Sequence, residues 1–369
     1  MTRPRVALTR ISLVFVGVCL ALSLAEVSMR CVSTPLRMNK VSFDQFDWLV
    51  YDPILGWMNK AQYHAGTINI NHIHLRGRET SIQKPPDVLR IICLGDSRTF
   101  GIWTDLGRVR FNNAYPSVLE GLAQNNPSAS HVEVMNAGVV GYSSSHGVRQ
   151  LVTQLLRLQP DVIIVAFGVN DHVPSWNAAL RCREPHNVVL RQLLYSLDDL
   201  RLFQFCTSVY QGMAALRPPP MGVRWVEPEE YAYNLQRFAQ ISRARGIRLL
   251  FLNQALRPIE LGDSLPAFRD SEKRPKDEYA VFGARDLGDF HRQESEYQGI
   301  LFHVAGEEGI PLADAAAAFA AHRGEPLFGP YYLVHPNPAG SQLIARTIYA
   351  KLLELGWLSS WNGSRVRPN

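Results

Sequence analysis

Apolar and polar positions follow two alternating patterns from residue 88 onward. Short, continuous apolar runs are typical of strands buried in a parallel sheet, and they occur at 88–94, 132–135, 162–167, 247–252 and 310–312. Segments with apolar residues at helical spacing lie between or after these runs, at 113–125, 146–158, 228–245, 292–308 and 338–355. This alternation predicts an α/β fold, in which helices wrap a doubly wound, five-stranded parallel sheet.

Two insertions interrupt this alternation, at about 173–226 and 255–290. The first contains a run of three prolines at 218–220, and the second is polar and rich in Asp, Arg and Lys. Each insertion follows an apolar run, which is where α/β proteins place binding loops. Both are therefore candidate lids over a site at the carboxyl edge of the sheet.

The N-terminal segment 1–30 has the pattern of a signal-anchor or a signal peptide. Arg3, Arg5 and Arg10 precede residues 11–25, an apolar stretch without a charged residue. A helix extended a few residues beyond Ala25 reaches the length that a bilayer requires. Positive residues before the segment predict a single-pass anchor with the N-terminus inside and the rest of the chain outside the cytoplasm. The alternatives are cleavage near Ala25, which releases a secreted protein, and a buried helix of a soluble protein.

The segment 31–87 is predicted to be an N-terminal extension with short strands. Residues 66–70 form one of its extended stretches, and Pro85 and Pro86 punctuate its end. The main domain is expected to occupy 88–358, and 359–369 is expected to be a C-terminal tail. The chain thus divides into a membrane segment, an extension, one large domain and a tail.

Composition excludes several classes of protein. The 369 residues are 46% hydrophobic and 19% charged, which is the balance of a globular chain rather than a disordered or collagen-like one. The formal charge of +5 comes from 38 basic and 33 acidic residues. The basic residues are scattered singly, so the sequence indicates no nucleic-acid partner.

The five cysteines indicate neither a metal site nor a redox motif. They have no Cys-x-x-Cys spacing. Cys182 and Cys206 can pair in an oxidising compartment, and the alternative is that both are free or buried thiols. The cysteines therefore do not decide the function of the protein.

A candidate nucleophile follows the first apolar run directly. Gly95, Asp96 and Ser97 stand at the carboxyl end of this predicted strand, on the edge where ligands bind in such sheets. The same tripeptide recurs at 262–264, inside a polar loop and away from any strand, and we interpret that copy as a coincidence. Ser97 is therefore the serine to which chemistry is assigned.

Three further candidates follow later runs in the same way. Gly138 comes after the second run, Asn170 and Asp171 after the third, and His335 just before the last helix. Each alone is equally compatible with a helix cap, a turn glycine or a surface histidine. Their order, each near the end of a predicted strand, favours one shared site at the carboxyl edge of the sheet.

This set of residues supports acyl transfer through a serine. His335 removes the proton of Ser97, whose hydroxyl oxygen attacks an acyl carbonyl. The backbone N–H groups of Ser97 and Gly138 and the side-chain amide of Asn170 then bind the oxyanion. His335 protonates the leaving alcohol, and water or another alcohol releases the acyl group.

The four blocks resemble the SGNH (GDSL-type) hydrolase superfamily over about residues 88–355. They are Gly-Asp-Ser at Ser97, Asn-Ala-Gly at Gly138, Gly-Val-Asn-Asp at Asn170, and His-Pro-Asn-Pro-Ala-Gly at His335. The resemblance implies a flavodoxin-like three-layer α/β/α sandwich, esterase or acyl-transfer activity and no cofactor or metal. Upstream segments also resemble membrane-anchored bacterial members, namely 51–57, 76–77 and 85–86.

One position departs from the family pattern. The family usually has an Asp three residues before its histidine, and Tyr332 stands there in this chain. A backbone carbonyl or the Tyr332 hydroxyl can orient His335, or a distant acid such as Asp314 or Asp289 can fill the place. A third interpretation is that the site binds its ligand without cleaving it.

Other polar residues near the motifs are candidates for supporting roles. Asp96 and Asp171 flank the proposed nucleophile and the proposed amide donor. Arg98 follows the nucleophile directly, where a small or apolar residue is commoner. It is expected either to contact an anionic group of a substrate or to face solvent or form a salt bridge.

The resulting functional hypothesis is an extracytoplasmic serine esterase that hydrolyses acyl esters. Location and the family resemblance suggest O-acetyl esters on a cell-envelope or secreted glycan, or a small acylated molecule, as the substrate. The alternatives are an O-acyltransferase that uses the same serine and a catalytically degenerate glycan-binding component of polysaccharide assembly. In each case the expected membrane contact is through the N-terminal helix, on the periplasmic side of a bacterial inner membrane.

Overall fold

A computed structural model describes residues 3–31, 46–105, 108–111, 114–126, 131–173, 185–215, 224–257, 287–329 and 334–358. Several positions discussed above lie outside these described residues. They are Cys182, Tyr332, most of the second insertion with its Gly-Asp-Ser copy, the three prolines at 218–220 and the tail 359–369.

The N-terminal segment forms a single long helix, α1 (Arg3–Cys31). Its part from Arg10 to Cys31 has 22 residues and a mean hydropathy of 2.2, and none of it is buried. At about 1.5 Å of rise per residue this length is enough to cross the hydrocarbon core of a bilayer. α1 has the length and composition of a signal-anchor or a signal peptide, and its apolar side chains are not buried in a core.

The extension folds into two small antiparallel pairs. The strands β1 (Leu49–Asp52) and β2 (Gly56–Asn59) form one pair, and β3 (Tyr63–Ala65) and β4 (Ile68–Ile70) form the other. Apolar side chains of this extension belong to the same buried cluster as residues of the main domain, among them Trp48, Leu55, Trp57, Ile70 and Leu75. The extension is therefore packed against the main domain and shares its core.

The central sheet has five parallel strands, as predicted. They are β5 (Leu89–Gly95), β8 (Val132–Asn136), β9 (Val162–Ala166), β10 (Arg248–Asn253) and β11 (Leu312–Asp314). A separate hairpin is formed by β6 (Trp103–Asp105) and β7 (Arg108–Arg110). The spatial order β11-β10-β9-β5-β8 is the flavodoxin-like order. Its switch point lies between β5 and β9, so the carboxyl ends of these two strands border the crevice where such folds bind ligands.

Helices cover both faces of the sheet and complete three layers. Their bounds are α2 (Ser97–Phe100), α3 (Tyr115–Gln124), α4 (Ser144–Gln150), α5 (Val169–His172), α6 (Val188–Leu197), α7 (Arg201–Ala215), α8 (Pro228–Arg245), α9 (Leu287–Glu308), α10 (Ala315–Ala321) and α11 (Pro338–Glu354). Along β5 successive side chains alternate between two cores, with Ile92 and Leu94 in one and Ile91 and Cys93 in the other. This alternation is the period-two pattern of a strand that is buried on both faces.

Three predicted elements differ from the observed ones. The helix predicted over 146–158 begins at Ser144 and is α-helical only to Gln150, after which a π-helical turn and a 3₁₀ turn follow. The last strand begins at Leu312 rather than at 310, because the N–H of Ile310 closes the end of α9 on the carbonyl of Ala305. The helix predicted from 292 begins five residues earlier, within the second insertion.

Candidate active site

Ser97 occupies the first position of the short helix α2, directly after β5. The Asp96 carboxylate precedes it and accepts a hydrogen bond of 2.8 Å from the N–H of Arg98, which caps the helix. Only 8% of Ser97 is exposed. The serine therefore stands at the carboxyl edge of the sheet, at the switch point of the strand order.

Two glycines allow this turn to be tight. A Cβ on Gly95 would lie 2.1 Å from Oγ1 of Thr99 and 2.7 Å from the carbonyl oxygen of Ala166. A Cβ on Gly138 would lie 2.2 Å from the backbone nitrogen of Phe100. Because real Cβ atoms do not approach other atoms this closely, both positions require glycine to keep α2 where it is.

His335 reaches Ser97 from the far end of the chain. Its Nε2 lies 2.9 Å from the Ser97 hydroxyl oxygen, across a sequence separation of 238 residues. Pro336 pairs with Phe328 in an antiparallel bridge, and the side chain of Asn337 caps α11 by accepting from the N–H of Gly340 at 3.0 Å. The histidine is thus held at the junction between that bridge and the last helix.

The surroundings of His335 keep its ring neutral. Burial and the positive charge of Arg98 lower the pKa of His335 to about 3. A neutral imidazole is the form that accepts a proton from a serine. The pair therefore has the distance and the protonation state of a nucleophile and its general base.

Arg98 is buried and does not face solvent. Its guanidinium forms an ion pair with Asp96, with 3.1 Å between Nη2 and the carboxylate. The charge of Glu294, on α9, also acts on Arg98, and this carboxylate lies 2.8 Å from Nε2 of His172. Burial raises the pKa of Glu294, but the His172 hydrogen bond and Arg98 outweigh it and hold this pKa below its ordinary value.

The sequence did not indicate this cluster of Asp96, Arg98, His172 and Glu294. Glu294 lies on an amphipathic helix and 197 positions away from Ser97, where no motif marks it. His172 directly follows the Asn170 block, but it belongs to no motif. Because each of these side chains is at most 4% exposed, their burial was the signal, and burial is visible only in the folded chain.

The N–H of Gly138, which the sequence analysis assigned as an oxyanion donor, already has a hydrogen-bond partner in the protein. Its N–H donates to Oδ1 of Asn136 at 2.9 Å, inside the protein. The same Asn136 donates from Nδ2 to the carbonyl of Thr99 at 2.8 Å, so it ties this loop to α2. Gly138 is therefore required for close packing, and its amide is already occupied.

Two other amides of the same loop remain available. Within the described part of the chain, neither Val140 nor Gly141 donates its N–H to a protein acceptor. Gly141 is half-buried and has a φ of 80°, which is a conformation that favours glycine. In the described residues the amides of Val140 and Gly141 are thus open to a ligand, whereas the amide of Gly138 is bonded to Asn136.

Asn170 lies on the first turn of α5, beside this loop. Its Nδ2 donates to the carbonyl of Tyr142 at 2.9 Å, and an amide NH₂ keeps a second N–H for another acceptor. The side chain is half-buried. Asn170 therefore borders the loop that carries Gly141, at the same edge of the sheet as Ser97.

The carboxylates considered as partners of His335 have other contacts. Asp171 accepts from the N–H of Ser144 at 2.9 Å and from its hydroxyl, and burial raises its pKa to about 7. Asp314 caps α10 and accepts from Asn253, and Asp289 accepts from Arg292 and Gln293. Of Asp96, Asp171 and Asp314, none hydrogen-bonds to His335. Tyr332, at the position of the family's usual Asp, lies outside the described residues.

The N-terminal extension supports the loop that follows β8. Asn59 donates to the carbonyl of Gly138 at 3.0 Å, and the Trp57 indole donates to the carbonyl of Val140 at 2.8 Å. The Tyr142 hydroxyl in turn donates to the carbonyl of Trp57. Three hydrogen bonds therefore fix this loop to β2, and no motif in the sequence indicated them.

The described residues contain no group of three or more His, Cys, Asp and Glu side chains placed to hold a metal ion. Cys206 is exposed and not bonded to a described cysteine, whereas Cys93 is buried in the core.

Several solved structures are similar to this chain, at low identity. LAE5, an alpha/beta hydrolase enzyme from the metagenome of Lake Arreo, Spain, has 20% identity and a TM-score of 0.43, covering 71% of this chain and 94% of its own. The lipase/acylhydrolase from Enterococcus faecalis has 16% identity and a TM-score of 0.41, covering 72% and 96%. Axe2, an acetylxylan esterase from Geobacillus stearothermophilus, has 17% identity and a TM-score of 0.41, covering 75% and 97%.

No curated protein sequence matches the chain. The model of one family matches residues 93–343, a range that begins within β5, ends within α11 and includes Ser97, Asn170 and His335. This match confirms the resemblance that the four sequence blocks indicated. The chain belongs to the GDSL-like lipase/acylhydrolase family and is an ester-hydrolysing enzyme.

Proposed function

We propose that the protein is an extracytoplasmic esterase in which Ser97 is the nucleophile and His335 the general base. The observation that carries this proposal is the distance of 2.9 Å between the Ser97 hydroxyl and Nε2 of His335. The lowered pKa of His335 supports it, because the ring is then neutral and ready to accept the serine proton.

The reaction proceeds in two halves. In the first, Ser97 Oγ attacks the acyl carbonyl carbon while its proton moves to His335, and the ester C–O bond breaks as His335 protonates the departing alcohol. In the second, His335 takes a proton from water, whose oxygen attacks the acyl-serine. The carboxylic acid leaves, and the proton returns from His335 to Ser97.

The proposed oxyanion donors are the N–H of Ser97, the N–H of Gly141 and Nδ2 of Asn170. Gly141 replaces Gly138 in this role because the amide of Gly138 is bonded to Asn136. Removal of one such donor typically lowers kcat by about 10² to 10³. Asn170→Ala is therefore expected to lower kcat for an acyl ester within that range, with a much smaller change in KM.

The proposed substrates are small acyl esters, O-acetyl esters among them, on a cell-envelope or secreted glycan. This proposal rests on α1, in which Arg3, Arg5 and Arg10 precede the apolar stretch and favour a single-pass anchor with the N-terminus inside. The domain would then face the periplasm of a bacterial cell, where such glycans occur. The close Ser97–His335 contact favours cleavage over glycan binding without chemistry.

The deciding experiment is hydrolysis of p-nitrophenyl acetate by the full chain in detergent, together with Ser97 labelling by a fluorophosphonate. Ser97→Ala and His335→Ala should each abolish turnover, and Ser97→Ala should also abolish labelling. Ser81→Ala is the matched control, since Ser81 is an exposed serine that contacts only Gln83 through its hydroxyl. A wild-type rate equal to that of both site variants, with no labelling, would refute the esterase proposal.

The same assay separates hydrolysis from acyl transfer. With acetylated and unacetylated xylo-oligosaccharides present, an esterase releases acetate at a rate that the added acceptor does not reduce. If the acetyl group is instead transferred to the acceptor in preference to water, the protein is an O-acyltransferase in which Ser97 has the same role.

A further inference from the structure

The first insertion carries an apolar helix face that the domain does not cover. The helix α6 exposes Val188, Val189, Leu190 and Leu193, and Val189 is 74% exposed. We call these four residues the α6 face. The only charged residue of α6, Arg191, is buried instead. A contiguous apolar surface of this kind on a folded domain is typical of an interaction site.

The α6 face is held outward by polar contacts on the opposite side of the helix. Arg191 donates to the Tyr233 hydroxyl at 2.6 Å and to the carbonyl of Pro185 at 3.2 Å. Arg149 forms a buried ion pair with Asp198, just after α6. These contacts fix the orientation of α6 on the domain, so the α6 face cannot turn into the core.

The next helix, α7, is bonded to the end of α1. The Glu26 carboxylate accepts from the backbone N–H groups of Arg201 at 3.0 Å and Leu202 at 2.9 Å, and so caps the first turn of α7. Arg30 donates to the carbonyl of Asp199 at 3.2 Å and forms an ion pair with Glu26. The insertion is therefore attached to the last two turns of the apolar helix.

This attachment determines where the α6 face lies relative to a membrane. The uncharged apolar stretch of α1, residues 11–25, ends one residue before Glu26, which is about 1.5 Å along the helix. Polar contacts of Glu26 and Arg30 with α7 hence lie at the level of lipid headgroups when α1 crosses a bilayer. Residues 198–200 connect α6 to α7, so the C-terminal end of α6 lies close to the same level, with Leu193 of the α6 face about one turn before it.

We propose that the α6 face inserts into the interfacial region of the membrane that α1 crosses, and so orients the domain on the bilayer. The occupant is lipid, because the face is apolar and uncharged and belongs to the insertion that is bonded to the end of α1. This inference rests on the proposed retention of α1 as an anchor and not on the ester chemistry.

The test uses the full chain in nanodiscs of phosphatidylethanolamine and phosphatidylglycerol, at one chain per disc. In a background with Cys19, Cys31, Cys182 and Cys206 changed to serine, an NBD fluorophore is placed on Val189→Cys. The control is Glu354→Cys, at the end of α11 and about 25 Å along that helix from the carboxyl edge. The thermal unfolding midpoint of each labelled protein shows that it is folded, independently of esterase activity.

Lipids with a nitroxide near the headgroup should quench the fluorophore at position 189 about threefold more than the fluorophore at position 354. The emission of the fluorophore at position 189 should also shift to the blue. Equal quenching at both positions would overturn the proposal. So would quenching at 189 that appears only with two chains per disc, since the α6 face would then cover a second copy. Intact mass measurement tests the anchor separately, and a chain recovered from membranes without residues 1–25 also overturns the proposal.

Discussion

Ser97 and His335 are held in place by two different kinds of structure. Ser97 is positioned mainly by its neighbours in the sequence, since the end of β5 at Gly95 and the Asp96 cap lie within two residues of it, and Gly138 packs against the same turn. His335 depends on the bridge between Phe328 and Pro336 and on the capped start of α11, which are themselves held by tertiary packing. The nucleophile can therefore be recognised in the sequence from its neighbours, whereas the placement of the base is a property of the whole fold.

The charges around the two residues also differ. Around Ser97, the charges of Asp96 and Glu294 compensate that of Arg98, and all three side chains are buried. At His335, burial and the Arg98 charge both oppose protonation. One buried arginine thus stabilises the turn of the nucleophile and also keeps the base neutral.

The largest expected effect is the loss of kcat/KM when Ser97 or His335 is replaced. It tests whether the two residues act as one unit. Ser97→Ala and His335→Ala should each lower kcat/KM by about 10⁴ or more, and the double variant should be no worse than either single one. The measurement is a double-mutant cycle on p-nitrophenyl acetate hydrolysis. Additive losses would mean that His335 does not act through the Ser97 hydroxyl.

The next largest effect is expected when the packing around α2, the helix that carries Ser97, is disturbed. Gly138→Ala should destabilise the protein by about 2 to 4 kcal/mol, because the new Cβ meets the backbone of Phe100 and α2 must shift. Gly121→Ala is the matched control on α3, where a Cβ meets nothing within 4 Å and helix propensity favours alanine by about 1 kcal/mol. Urea unfolding measures both.

The residual activity of these two variants sharpens the comparison. Folded Gly138→Ala protein should also lose kcat, because a displaced α2 moves Ser97 away from His335, whereas Gly121→Ala should keep it. A stable and fully active Gly138→Ala protein would show that Gly138 has no part in holding the nucleophile.

The fold was predictable from the sequence because buried parallel strands are continuous apolar runs that end in glycine or polar residues. All five predicted strands are present, and the central three differ from the prediction by one residue at most at each end. The motifs also named Ser97 and His335, whose reacting atoms the structure places 2.9 Å apart.

Other parts of the site could not be predicted, for physical reasons. The amide of Gly138 is occupied by a side chain two residues earlier, and a motif does not reveal how Asn136 folds back. Trp57 and Asn59 support the same loop from a segment about 80 residues away. Glu294 depends on how α9 packs against α5. Each of these contacts follows from tertiary structure and leaves no local pattern.

The third prediction concerns the shared arginine. With the pKa of His335 at about 3, wild-type kcat/KM should stay near its maximum down to about pH 4. Arg98→Gln removes the positive charge that opposes protonation of the ring, so the pKa of His335 should rise and the acid limb should move to higher pH. The measurement is acetate release across the acid range.

Glu294→Gln is the control of opposite sign. It removes a negative charge and leaves Arg98 less compensated, so the acid limb should not move toward neutral pH. If both variants shift the limb in the same direction, the change reflects disturbed packing rather than the charge of Arg98.

The last expected effect is on the pH dependence of stability and concerns Asp171, which follows Asn170 in the chain. Burial raises the pKa of Asp171 from its ordinary value to about 7 in the folded protein, and one carboxylate oxygen has no hydrogen-bond partner among the described residues. Between about pH 4 and 7 the folded state therefore retains a proton that the unfolded state has released. The free energy of unfolding contributed by Asp171 falls as the pH rises through this window, by at most about 4 kcal/mol.

Asp171→Asn removes this titration and keeps an oxygen that can accept from Ser144. The difference in unfolding free energy between wild type and variant, measured by urea denaturation from pH 5 to pH 8, should thus move in favour of the variant as the pH rises. A difference that stays constant across this range would mean that Asp171 is ionised at pH 5 in the folded protein. In that case the site would tolerate a buried negative charge beside Asn170, and a positively charged neighbour of Asp171 would be needed to explain it.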